Sequence, residues 1–119
     1  MIRRVALAAV AAVLLVTSPA VAHSLLLESS PAAGATLTTP PPQLTLRFNN
    51  RIEKRLSRIS LLDERGTPQA LTIAVTDGGA DRLTAAVPLL APGAYRVEWH
   101  VLSTDGHVVS GSFGFRLAR

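Results

Sequence analysis

The chain has 119 residues, with twelve Lys and Arg against eight Asp and Glu and no cysteine. That is room for one small domain, and it excludes a disulfide framework and any thiolate metal site. Without Arg3 and Arg4, which fall in a removable leader, ten basic residues face eight acidic ones, a balance of +2. The computed pI of about 11.1 then reflects arginine rather than a dense basic surface, and no nucleic-acid partner is expected.

Residues 1–22 have the form of an export signal. Arg3 and Arg4 give a positive start, residues 5–16 are an unbroken apolar run, and Thr17, Ser18 and Pro19 end it ahead of the small residues Ala20 and Ala22. The apolar core of about 12 residues falls short of the roughly 20 that a spanning helix needs. A helical signal peptide over residues 1–22, cleaved after Ala22, is therefore expected, with residues 23–119 as a soluble exported domain. Cleavage there makes His23 the amino terminus. One residue then offers a metal both an α-amine and an imidazole nitrogen, a chelate that no internal histidine can form.

From residue 24 onward short alternating apolar segments recur between Pro, Gly, Asn and Asp, with no sustained helical period. Leu25 and Leu27 open a first strand. Leu44, Leu46 and Phe48 alternate with Gln43, Thr45 and Arg47, the pattern of a strand with one buried face. The stretch from Asn49 to Arg58 breaks the alternation and gathers Arg51, Lys54, Arg55 and Arg58; it reads as a solvated loop or single helical turn in preference to a docking surface. Further strands follow around Ile59 and Leu61, around Leu71, Ile73 and Val75 up to Asp77-Gly78-Gly79, and around Leu83, Ala85 and Val87. After Pro92-Gly93, Tyr95, Val97, Trp99 and Val101 point one way, and Arg96, Glu98 and His100 the other. Trp99 thus belongs to the core and His100 to solvent or the opposite sheet face. Phe113, Phe115 and Leu117 form the last strand. Seven short strands at this spacing predict an all-β Greek-key sandwich or small barrel.

Between the two strongest strands stands Ser103-Thr104-Asp105-Gly106-His107. Asp105-Gly106 is a turn signal in its own right, since glycine takes positive φ. Asp105 and His107 are two apart, so a tight turn can aim a carboxylate and an imidazole at one point. With the His23 amine and imidazole they make three nitrogens and one oxygen, a set suited to the tetragonal preference of Cu(II), with Ni(II) and Zn(II) also compatible by ligand type. The only methionine, Met1, leaves with the leader, so the mature chain has no soft sulfur ligand for Cu(I).

These residues carry a resemblance. His23-Ser-Leu-Leu-Leu-Glu-Ser-Ser-Pro-Ala-Ala-Gly34, Leu44-Thr-Leu-Arg-Phe48, Pro92-Gly-Ala-Tyr-Arg-Val-Glu-Trp99, Val101-Leu-Ser-Thr-Asp-Gly-His107 and Gly111-Ser-Phe-Gly-Phe115 together make the mature chain resemble the CopC family of bacterial periplasmic copper-binding proteins. The resemblance implies a seven-stranded cupredoxin-like or immunoglobulin-like sandwich in the periplasm. It implies one Cu(II) per chain, held by His23, Asp105 and His107, and a carrier or buffer role in copper resistance or uptake. A membrane transporter of the CopD type or another periplasmic copper protein would receive the metal. The chain departs from the family in two places. It lacks the methionine-rich loop of members that also bind Cu(I). Where many members place a glutamate after the Phe48 strand, it has Asn49-Asn50, which can support a site by hydrogen bonding but supply no charge. Two other functions fit an N-terminal histidine on a β-domain: a copper enzyme resembling lytic polysaccharide monooxygenases, and an exported interaction module without metal.

Overall fold

The computed structural model describes residues 25–76 and 78–119. The expected signal peptide, His23 and the turn residue Asp77 lie outside the described residues. Nine strands and one short helix are present among those described: β1 (Leu26–Ser30), β2 (Thr36–Leu37), β3 (Gln43–Phe48), a 3-10 turn (Lys54–Leu56), β4 (Arg58–Leu62), β5 (Pro68–Gln69), β6 (Thr72–Ala74), β7 (Arg82–Ala86), β8 (Gly93–Leu102) and β9 (Val108–Leu117). They form two sheets, in the orders β1-β3-β7-β6 and β2-β9-β8-β4-β5. The chain is therefore an all-β sandwich, as the alternation predicted.

The core lies between the sheets, filled from both by period-two side chains. Leu44, Leu46 and Phe48 of β3, with Leu83 and Ala85 of β7, face Ile59 and Leu61 of β4, Tyr95, Val97 and Val101 of β8, and Phe115 and Leu117 of β9, all buried. A leucine taken from water to full burial contributes about 1.5–3 kcal/mol, so these positions carry most of the fold's stability in a chain without disulfides. Tyr95 stacks on Phe115 with ring centroids 5.5 Å apart, and its hydroxyl donates to the Ala91 carbonyl.

β8 and β9 pair in antiparallel register from Gly93↔Leu117 to Leu102↔Val108, ten residues on each side, which makes this hairpin the longest ladder in the protein. Trp99 packs against the core as expected, and its partner Gly111 makes room for it: a Cβ at Gly111 would lie 2.2 Å from the indole ring. The hairpin carries residues 103–107 at one end of the sandwich.

Two features depart from the plain alternation. Leu25 and Leu27 are 59% and 51% exposed, and Leu26 is the residue that packs on the core, because β1 bulges between Leu26 and Glu28 as it pairs with β3. β2 and β5, two residues each, are too short to show a period; they cap the two edges of the larger sheet, β2 running parallel to β9.

The basic stretch after β3 is a loop with a single helical turn. It is anchored at the hairpin end: Ile52 is buried and bridges to Ser103, the Glu53 amide donates to the Leu102 carbonyl at 2.8 Å, and the Ser57 hydroxyl accepts from the Leu102 amide at 3.1 Å. Arg51, Arg55 and Arg58 remain on the surface.

Candidate metal centre

The turn that ends β8 is closed by backbone bonds, the Ser103 amide donating to the His107 carbonyl at 2.8 Å and the Gly106 amide to the Ser103 carbonyl at 2.9 Å. Gly106 has φ +90°, and a Cβ there would meet nothing within 4 Å. Glycine is needed for its backbone conformation rather than for space.

Within this frame Asp105 and His107 converge. The Asp105 Oδ1 accepts from the His107 backbone amide at 3.1 Å and lies 3.2 Å from its ring Nδ1. An aspartate bonded to the amide two residues on is the local device that favours Asp in turns, and here it also fixes the carboxylate beside the imidazole. The two side chains are 32% and 55% exposed, so an ion can reach them from solvent. The Ser103 hydroxyl, and next the His107 amide, hydrogen-bond the carboxylate and hold its pKa below the ordinary aspartate value, against the opposing effect of burial.

Behind the turn is a layer of polar contacts with the loop after β3. Ser103 is 1% exposed, and its hydroxyl accepts from Asn50 Nδ2 at 3.0 Å. The Thr104 amide donates to the Arg51 carbonyl at 3.1 Å. One residue earlier, Asn49 grips the start of the N-terminal strand: its Oδ1 accepts from the Leu25 amide at 2.6 Å, and its own amide donates to the Leu25 carbonyl at 3.0 Å. Leu25 is two residues after His23. The loop therefore joins the beginning of the described chain to the histidine-bearing turn through two adjacent asparagines.

Of the three residues singled out as ligands, Asp105 and His107 are brought together, and His23 lies outside the described residues. Among the described residues no group of three or more His, Cys, Asp or Glu gathers as a metal site. Asp105 and His107 amount to an imidazole nitrogen and a carboxylate oxygen, a fit for borderline divalent ions and a poor one for Cu(I). Sequence reasoning assigned no role to Ser103 and left open which asparagine mattered. The signal for Ser103 was weak: a serine two before a turn aspartate is common, and its partner Asn50 is 53 residues away.

His100 takes no part in this cluster. It is exposed on the outer face of the larger sheet, where its Nδ1 lies 2.6 Å from the Ser110 hydroxyl and its cross-strand partner is Arg58. It lines a shallow groove with Ser60, Arg96, Glu98 and Ser112.

A small two-sheet sandwich carries an Asp-Gly-His turn at the end of the longest hairpin among the described residues, and the turn offers a metal nitrogen and oxygen donors. Residues 26–118 match the family model described as CopC domain. The chain belongs to the CopC family, whose members are copper-binding and copper-resistance carriers rather than enzymes. It is 33% identical over 115 residues to the copper resistance protein C of Pseudomonas syringae pv. tomato, covering 90% of each chain. It is 35% identical over 104 residues to the protein YobA of Escherichia coli K12, covering 85% of this chain and 83% of that one. Among solved structures, CopC from Methylosinus trichosporium OB3b superposes with a TM-score of 0.77 at 35% identity, over 81% of this chain and 94% of that one.

Proposed function

We propose that this protein is an exported periplasmic Cu(II) carrier or buffer, and that its cargo is one Cu(II) ion held by the amine and imidazole of a processed N-terminal His23, by Asp105 and by His107. The observation that carries this reading is the convergence of Asp105 and His107 in an exposed turn whose supporting loop also grips Leu25. Two residues of extended chain reach about 7 Å, so a His23 two positions before Leu25 is within range of a site next to that loop. The donor set supports the divalent ion: nitrogen and carboxylate oxygen suit Cu(II), and the mature chain has neither Cys nor Met to favour Cu(I).

The amine and both imidazoles must be unprotonated to bind, so copper affinity falls as pH falls. A membrane copper transporter of the CopD type or another periplasmic copper protein would receive the ion, and no chemistry on an organic substrate is required.

The test has two parts. Mass spectrometry of the exported protein is expected to find His23 as the first residue. Titration of that protein with Cu(II) is expected to give a 1:1 type-2 copper spectrum that His107→Ala abolishes. A terminus elsewhere, or unchanged binding in His107→Ala, would remove the site.

A further inference from the structure

Asn49 and Asn50 do two different things, although they are adjacent and identical. They stand in the bend that follows β3, where the chain changes direction and their side chains reach different elements. Asn49 turns to β1 and makes two bonds with the single residue Leu25, one through its side chain and one through its backbone. β1 is an edge strand, held on one side only, and chain ends of edge strands fray unless tied. Asn49 is that tie.

Asn50 turns the other way, to Ser103. Its orientation is set without ambiguity, because Oδ1 accepts from the Arg51 amide at 2.8 Å and Nδ2 is left to donate to the Ser103 hydroxyl. Asn50 thereby fixes the Ser103 side chain, and the Ser103 backbone closes the turn that carries Asp105 and His107, its amide donating to the His107 carbonyl and its carbonyl accepting from the Gly106 amide. Ser103 is fully buried, so water does not compete for it.

We infer that Asn49 and Asn50 form a two-sided clamp that sets the N-terminal strand and the 103–107 turn in one fixed relation, with Asn50 and Ser103 acting in series as positioning residues for the turn that carries Asp105 and His107. This inference rests on the copper site proposed above. An ionised acid at position 50 could only accept from the Ser103 hydroxyl, so the donor that Asn50 Nδ2 supplies to the clamp would be lost.

The test uses the mature protein, the single variants Asn49→Ala, Asn50→Ala, Asn50→Asp, Ser103→Ala and His107→Ala, and the double variant Asn50→Ala/Ser103→Ala. In metal-free protein the backbone amide shifts and order parameters of residues 104–107 are expected to change in Asn50→Ala, Asn50→Asp and Ser103→Ala, and those of residues 25–28 in Asn49→Ala. With copper, Asn50→Ala and Ser103→Ala are each expected to weaken Cu(II) binding about tenfold, the lower end of what loss of a supporting partner costs a metal site. The double variant should be no weaker than Ser103→Ala alone, as two links of one relay require. Additive losses in the double variant, or turn amides unmoved by Asn50→Ala, would each overturn the clamp. His107→Ala separates the two ideas: if it abolishes binding while Asn50→Ala matches the parent, the site stands and the clamp falls. If copper binding survives His107→Ala, the site falls, and the metal-free spectra still decide the clamp.

Discussion

His107 and His100 sit seven residues apart on the same hairpin, both exposed and both with a polar neighbour at their Nδ1, yet their surroundings have opposite character. His107 lies in a turn, next to a carboxylate that is itself hydrogen-bonded from behind by Ser103. His100 lies on a flat sheet face opposite Arg58, next to Ser110, with Glu98 engaged by Arg96 at 3.2 Å. A cation arriving at His107 meets a negative group; one arriving at His100 meets a guanidinium across the strand. Histidine content alone therefore says little about metal binding, and the charge and orientation of the neighbours decide it.

The contrast can be broken or sharpened by substitution. The largest effect is expected from His107→Ala, which should abolish the 1:1 Cu(II) signal, whereas His100→Ala should leave the dissociation constant within about twofold of the parent; isothermal titration or competition with a chromophoric chelator measures both. Asp105→Asn keeps the shape of the turn and removes a charged ligand, and a loss of at least about 100-fold is expected, beyond the roughly 10–100-fold that a supporting group costs.

A change in the shared scaffold should treat the two histidines alike. Gly111→Ala drives a methyl against the Trp99 ring, and overpacking of this kind costs about 1–3 kcal/mol, read as a lower denaturation midpoint. Leu46→Ala, in the opposite sheet, should cost about 2–5 kcal/mol of stability while copper affinity of the folded protein stays unchanged.

The smallest effect is the one on pH. The folded pKa of Asp105 is depressed, so its contribution to the turn is complete above the ordinary carboxylate range and is lost as pH falls through the lowered value. Ser103→Ala should move that loss to higher pH, visible in the amide shift of His107 in metal-free protein. His100 should show no corresponding change.

Much of this contrast was legible from residue order. The alternation of Tyr95, Val97, Trp99 and Val101 put His100 outside, and Asp105-Gly106 announced a turn that delivers His107 next to an acid. Those are local signals, and local periodicity reports them well. The bulge that exposes Leu27, the two-residue strands at the sheet edges and the bond from Asn50 to Ser103 were not legible, because each depends on a partner far along the chain. The resemblance to copper-binding relatives drew attention to the position after Phe48, but which asparagine faces the turn depends on the bend after β3 and on partners far along the chain, Leu25 for Asn49 and Ser103 for Asn50.

The central claim is that the metal site is assembled from a processed terminus and the turn at residues 103–107. Electron paramagnetic resonance of Cu(II) bound to protein that begins at His23, compared with protein carrying one extra alanine before it, tests this most directly. The expected result is nitrogen superhyperfine structure from three donors in the first protein, and its loss with weaker binding in the second. Identical spectra and affinities in the two proteins would contradict it.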